Sequence, residues 1–482
     1  MALISQGFAS LTSSIFSSGR AEDVTFSLSS IRISLPVKAA TVDIQSLRNY
    51  NSRQPISRLP IELLCDIFTT YVNDPTRSRV DRPTPLVSRL SKADPTLLGQ
   101  VCSHWRTVAI KLPNLWTSIF IENPVKTHVY LTQTWLERAA GQPLHITLWD
   151  SGDLRSMGCI LTVLASYSQF WKKLELRLPL DLVPHFWNIT KLPRKCDMLE
   201  ALEFMPLGAV SPLLQQYDMG NPGWDRRYLR DIWSFFYTSS VLSDIIWIGR
   251  FDDFLHDKTP YDQLQTVRLH SNQQYLDVQD AVGFIARFPK LQHLNTGVSF
   301  TSQHLSFKSL TTTPFVMEHL HTLYLWARVS LSFAFSHLTL PALKDLTISS
   351  MSGGDLLLDH CTLKEFFHRS KCQLERLVYA DDKLTNDDLN ALLLLPELQS
   401  LRSLECTAKI QDSTIRALLA SQLDGSSSIL PLLESICFEA CEATDGLLSM
   451  MVLSRKPTLM NLDLRPEVEF GPIDAELLQP YG

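Results

Sequence analysis

Chemistry in this chain would have to begin at its nine cysteines or thirteen histidines, the residue types that attack, shuttle protons or ligate metals. Cys65, Cys102, Cys159, Cys196, Cys361, Cys372, Cys406, Cys437 and Cys441 are odd in number, scattered, and free of CxxC pairs. That pattern fits reduced thiols and a cytosolic or nuclear protein better than a disulfide framework. Cys437 and Cys441 are four apart, but with no second Cys/His pair at zinc spacing they read as core thiols. His319 and His321 lie two apart at the approach to a strand, too few for a metal site. The sequence holds no GxSxG, HExxH, GxxxxGK[ST] or GxGxxG and no calcium-loop carboxylates. A non-catalytic protein with no cofactor and no metal is therefore expected. What remains is recognition chemistry, in which Arg268 and Arg376 are the cations that could pair with a phosphate.

The elements that must carry such recognition are numerous. With 482 residues, 45% hydrophobic, 20% charged and a formal net charge of −6, the chain can bury a large core and presents no general field for nucleic acid. No run of eighteen apolar residues could cross a bilayer, so neither a membrane nor a nucleic-acid partner is expected. Leucine makes up 79 residues, about 16% of the chain, against 18 glycines. That bias favours repeated packing layers over phosphate-cradling turns.

Residues 1–54 read as a flexible leader, with ten serines in the first forty and no apolar block behind a basic start. From Ser57 an amphipathic helix is expected, with Pro60 allowed in a first turn and Leu64, Ile67 and Phe68 at helical spacing. Residues of about 72–96 carry Pro75, Pro83, Pro85 and Pro95 with Arg77, Arg79, Arg82, Arg89 and Lys92, and read as an exposed loop. Leu98, Val101, Cys102, Trp105 and Ala109 then share a second helical face, closed by Leu112-Pro113-Asn114-Leu115-Trp116. Helices this few are too small to bury their own leucines and tryptophans, so the unit needs a partner or a docked neighbour.

Three ordered blocks, LPIELLCDIF, VCSHWR and LPNLW, resemble an F-box, and the long Pro-rich insertion resembles the form abundant in mushroom-forming fungi. The resemblance spans residues 55–121. It implies binding to the Skp-type adaptor, and through it the cullin, of a Skp-cullin-F-box ubiquitin ligase. It also implies adaptor contacts from Leu59, Pro60, Leu63, Leu64, Ile67, Phe68, Leu98, Val101, Cys102, Trp105, Leu115 and Trp116. Core packing is the competing role for the same residues, and some must serve it.

Residues 122–482 read as a repeat. Tyr130 to Ala140 and Leu154 to Tyr167 are expected helices, Pro143 to Leu148 and Trp171 to Leu178 expected strands. An L-x-x-L-x-L motif recurs at Trp171, Leu199, Leu264, Leu320, Leu343, Leu374, Leu401, Leu433 and Leu459, with a degenerate copy at Leu291 and a doubtful one at Leu242. From Leu264 the starts are 27, 29, 23, 31, 27, 32 and 26 residues apart, the span of leucine-rich repeats. The fold class expected is α/β: a short helical domain followed by an irregular leucine-rich-repeat solenoid with parallel strands on a concave face and helices outside. A single strand-helix unit cannot bury its leucines, whereas stacked units can. The Trp224 to Trp233 segment reads as an amphipathic repeat helix, and Met450 and Met451 as packing residues.

Residues between the motif leucines would line the concave face by strand alternation. Arg268, His270, Tyr324, Trp326 and Arg376 have the composition of a protein-binding hot spot. A solvated face with its aromatics covered by a loop fits the same residues. The resulting expectation is a substrate receptor that grips an adaptor with one end and an unknown target protein with the other. A scaffold that joins partners without a ligase is the alternative, and the two differ in whether the apolar faces of residues 59–68 and 98–116 are open or covered.

Overall fold

A strand that buries leucines on one face leaves two edges of unpaired backbone, and a like strand on either side satisfies both. The computed structural model describes residues 44–73, 95–149, 153–207, 227–248, 257–270, 277–299, 314–350, 358–381, 383–419, 429–456, 458–464 and 471–478. Two compact units result, Met1–Leu59 and Pro60–Gly482.

The first unit contains helix α1 (Ile44–Arg53) and a 3-10 turn at Pro55–Arg58. The expected flexible leader therefore ends in ordered helix over its last ten residues, a stretch with no Gly or Pro to break it. Gln54 Nε2 donates to Tyr50 O at 3.4 Å at its C-terminal end. Residues 1–43 lie outside the described residues.

The second unit opens with α2 (Ile61–Asn73), α3 (Pro95–Val101) and α4 (Ser103–Lys111). Residues 74–94, most of the Pro-rich insertion with its five cations, lie outside the described residues. Strands and helices then alternate: β1 (Ser118–Glu122), α5 (Lys126–Ala139), β2 (Leu144–Trp149), α6 (Leu154–Ala165), β3 (Trp171–Pro179), α7 (Val183–Thr190), β4 (Ala201–Leu207), α8 (Arg227–Phe236), β5 (Asp244–Ile248), β6 (Thr266–His270), α9 (Val278–Ile285) and β7 (His293–Val298). The series continues through β8 (Phe315–Val316), β9 (Thr322–Ala327), α10 (Ser332–His337), β10 (Leu338–Thr339), β11 (Asp345–Ser350), α11 (His360–Ser370), β12 (Arg376–Ala380), α12 (Asn386–Leu393), β13 (Ser403–Gln411), α13 (Asp412–Leu418), β14 (Ser435–Glu442), α14 (Leu447–Ser454), β15 (Asn461–Leu464) and α15 (Pro472–Leu478).

Among the described residues thirteen strands form one sheet in strict chain order, while β8 and β10 pair separately. Every pairing is parallel, from β1 with β2 to β14 with β15. Parallel neighbours require crossovers, which the intervening helices and loops supply. The repeat motif sets the register. Its second apolar residue lies opposite that of the next copy across eleven strands: Leu174, Leu202, Ile245, Val267, Leu294, Leu323, Leu346, Leu377, Leu404, Ile436 and Leu462. Ten of these eleven are buried and Leu462 is half-buried. The doubtful copy at Leu242 is a full member, β5, with Ile245 and Trp247 both buried.

Helices α5 to α8 pack each on the next, as do α9 to α15. Helix α8 turns Leu229, Ile232, Trp233, Phe235 and Phe236 into the core, while Trp224, Asp225 and Arg226 of the same mixed segment lie outside the described residues. Met451 is buried but Met450 is largely exposed, so the second of the two expected packing residues serves and the first does not: adjacent positions of a helix point about 100° apart.

Two arginines, Arg455 buried and Arg369 half-buried, tie consecutive layers together. Arg455, after α14, donates to the carbonyl oxygens of Leu418, Ile429 and Leu430; Arg369, on α11, donates to Phe335 O and Leu338 O. Each places a guanidinium at the C-terminal end of the preceding helix, where carbonyls lack intrahelical partners, and Arg455 also reaches the non-helical carbonyls of Ile429 and Leu430. Strand β1 crosses residue 121 and pairs in register with β2, so the sheet begins inside the segment that the sequence blocks delimit as the helical domain.

Candidate functional site

Helix α2 divides its residues between two surroundings. Leu64, Phe68 and Val72, spaced by four, are buried in the core of the unit. On other sides of the helix, Leu63 is 50% exposed and Ile67 45%, and Ile61 is equally open. Helix α3 repeats the division, with Pro95 and Leu98 buried but Leu97 open and Val101 57% exposed.

The inner side is held by aromatics. Phe68 meets Trp105 edge-on with centroids 4.9 Å apart. Trp116 donates from Nε1 to Ala109 O at 2.9 Å, packs at 4.8 Å against Trp135, and lies under Arg138. Cys102 caps α4 through its sulfur, which accepts from Trp105 N at 3.5 Å, and Arg106 Nε donates to Gly99 O at 2.8 Å, fixing α4 against α3.

The structure thus separates the twelve residues expected at an adaptor interface. Pro60, Leu63, Ile67 and Val101 are open to a partner. Leu59, Cys102 and Trp105 are half-buried. Leu64, Phe68, Leu98, Leu115 and Trp116 are in the interior, so in this fold they hold the helices and do not offer a surface; a side chain surrounded by its own chain has no area left to contribute. Ile61 and Leu97, which the sequence blocks do not single out, join the open group.

The second candidate surface is the sheet face opposite the leucine rows. In β9, Leu323, Leu325 and Ala327 are buried while Thr322, Tyr324 and Trp326 alternate toward the other side, half-buried. The Tyr324 and Trp326 rings meet edge-on at 5.6 Å and 79°. Arg268 on β6 is exposed and lies in register with Asn295 of β7, which is in register with Tyr324. The backbone of His270 closes β6, but its side chain lies outside the described residues.

Arg376 differs from Arg268. Its Nη1 is 3.3 Å from Asp345 Oδ1 on one neighbouring strand and its Nη2 is 3.6 Å from Glu405 Oε2 on the other, so its charge is already answered. Arg268 and Arg376 stand on β6 and β12, with β7, β9 and β11 between them. Four strand spacings put their backbones about 19 Å apart. The sequence leaves a phosphate role for these arginines open, and the two ion pairs of Arg376 already engage one of them.

Sequence reasoning missed His293 and Asn295 because they occupy the degenerate repeat at Leu291. Period-two alternation around Leu294 would have found both. The His293 and His321 rings lie 6.5 Å apart. Burial, His321 and Arg268 together hold the His293 imidazole below the ordinary histidine range. Asn295 Oδ1 and Thr347 Oγ1 are buried on this face without a hydrogen-bond partner among the described residues. Toward β1, Arg177 stacks on Trp149 at 3.7 Å and pairs with Glu203 at 3.4 Å. Cys437 is half-buried and Cys441 buried, and the described residues include no group of three or more His, Cys, Asp or Glu placed to hold a metal ion. No helix among the described residues is long and apolar enough to cross a membrane.

A family model described as F-box-like matches residues 56–122, the segment that carries α2, α3, α4 and β1. No curated protein matches the chain. The chain therefore carries an F-box-like domain, and the strands that follow it are described by their geometry alone.

Proposed function

We propose that the chain is the substrate-recognition subunit of a Skp-cullin-F-box ubiquitin ligase, holding a Skp-type adaptor through its F-box-like domain and a target protein through the sheet that follows. The observation that carries this reading is the open apolar side of α2 and α3, formed by Pro60, Ile61, Leu63, Ile67, Leu97 and Val101. A scaffold that used these helices only to cap its own sheet would have covered that side. Burying the exposed half of each such side chain contributes on the order of 1 kcal/mol, so the patch together supplies several kcal/mol toward a helical partner.

In this reading the strand-helix units are irregular leucine-rich repeats, supported by the chain-order parallel sheet and the register of its leucines, and the F-box-like domain is of the fungal type with a long Pro-rich insertion. The receptor performs no covalent step. Holding a target beside the ubiquitin-charged partner raises its effective concentration, and no cofactor enters. Arg268, Tyr324 and Trp326 are the residues proposed to meet the target.

Co-expression of the full chain with a Skp-type adaptor, purified through a tag on one partner, tests the proposal. A stoichiometric complex that is lost in a Leu63→Asp, Ile67→Asp variant of unchanged thermal stability supports it. A monodisperse chain that ignores the adaptor refutes it and leaves the scaffold.

A further inference from the structure

Cys361 is one of two exposed thiols among the described residues; Cys159 is the other. Their surroundings differ. Cys361 is the second residue of α11, an eleven-residue helix capped by Asp359, and its Sγ lies 3.4 Å from Nε2 of His360. His360 Nδ1 is in turn 2.9 Å from Asp388 Oδ1, on the separate helix α12. Asp388 is itself held: Thr385 Oγ1 donates to its Oδ2 at 2.6 Å, and its backbone N–H donates back to Thr385 Oγ1 at 3.2 Å.

A carboxylate only accepts, so a neutral His360 with its proton on Nδ1 toward Asp388 presents the Nε2 lone pair to the sulfur. Thiol, base and orienting carboxylate then stand in the relation that activates a sulfur nucleophile. Cys159 sits in the middle of α6, and no histidine hydrogen bond reaches it among the described residues. Four further thiols, Cys196, Cys372, Cys406 and Cys441, are buried and out of reach.

We propose that Cys361 is a covalent modification site, which takes a small thiol from a low-molecular-weight disulfide by exchange assisted by His360. In the step, the Cys361 S–H proton passes to His360 Nε2 and the sulfur attacks one sulfur of the disulfide. The S–S bond breaks, a mixed disulfide forms on Cys361, and the departing thiolate takes the proton from the imidazolium. One disulfide is consumed and one formed, so no further oxidant is needed. This inference does not rest on adaptor binding.

The test treats the reduced full chain with oxidised glutathione and follows each cysteine-containing peptide by mass spectrometry. Cys361 is expected to be modified about tenfold faster than Cys159 at neutral pH, reversibly by dithiothreitol. His360→Gln is expected to bring its rate down to that of Cys159, with Asp388→Asn between the two. A Cys361 rate no greater than that of Cys159 in the unmodified sequence overturns the proposal without any variant. A fast rate that His360→Gln leaves unchanged overturns the role given to the imidazole.

Discussion

Leu63 and Leu64 are neighbours in α2 and face opposite surroundings: Leu64 is wholly buried, Leu63 half in solvent. Adaptor binding and folding can therefore be cut apart at adjacent residues. Leu64→Ala is expected to destabilise the chain by about 3 kcal/mol, as for any large-to-small change in a packed core. Leu63→Asp is expected to leave the melting temperature within about a degree while weakening the adaptor complex by on the order of 2 kcal/mol. Thermal denaturation and titration calorimetry on the two variants check this. Equal loss of stability in both would mean that the open side of α2 is not open in solution.

Trp116 gives a second version of the same distinction. Its Nε1 bond to Ala109 O and its contacts with Trp135 and Arg138 are all internal. Trp116→Ala is expected to cost about 4 kcal/mol of stability. Any adaptor binding lost in that variant is expected to follow the folded fraction measured by circular dichroism.

Arg455 is buried, its guanidinium shared among three carbonyl oxygens. Arg455→Met would strand those acceptors and is expected to cost about 3 kcal/mol, read as a fall in the urea midpoint. Arg455→Lys is expected to recover little, because an ammonium cannot reproduce the planar fork. A fully stable lysine variant would show that charge alone suffices.

Acidification should weaken the fold in two stages. Burial lowers the pKa of His128, His145 and His293 below the ordinary 6.5, with Lys173 and Lys172 adding to the effect at His145. The unfolded chain then binds protons before the folded one does. This contribution to stability is complete above pH about 6.5 and is lost as the pH falls through the lowered values. Burial is the cause at His128, whose Nδ1 also accepts from Val125 N at 3.2 Å. Hydrogen bonds from Thr444 to Asp412, from Ser156 to Asp153 and from Lys344 to Glu375 hold those carboxylates below their ordinary range, and their contribution is lost only at more acid pH, below about 4. A melting temperature flat from pH 8 to 7 and falling below 6.5 is expected, with a shallower fall in a His128→Gln, His145→Gln variant. A profile unaffected by these substitutions would move the cause elsewhere.

On the sheet face, Arg376→Gln is expected to change stability by less than about 1 kcal/mol, since its two ion pairs are partly solvated. Tyr324→Ala with Trp326→Ala is expected to leave adaptor binding intact while abolishing capture of whatever target the receptor holds. Loss of adaptor binding in that double variant, measured by the same titration, would show that the two surfaces are not separable.

Much of the fold could be read from local periodicity. Leucines at L-x-x-L-x-L spacing specified strands, and even the weak copies at Leu242 and Leu291 became β5 and β7, because burial of their apolar residues beside like neighbours outweighs an imperfect motif. The order of the thirteen strands is not fixed by that spacing, since strand-helix units of this length also build sheets with rearranged orders. The helix Ile44–Arg53 was not legible, because only Ile44, Leu47 and Tyr50 of its ten residues are apolar.

The candidate sites were legible in composition and not in arrangement. The sequence by itself determined which residues are apolar, aromatic or charged and at what period, and so determined the helices, the repeated strands and the F-box-like blocks. Only the tertiary structure decided that Leu64 faces inward and Leu63 outward, that Asp345 and Glu405 occupy Arg376, and that Asp388 reaches His360 from another helix. The reason is that periodicity acts over a few residues of one element, whereas exposure and charge pairing depend on what a different element, tens of residues away, places within a few ångströms.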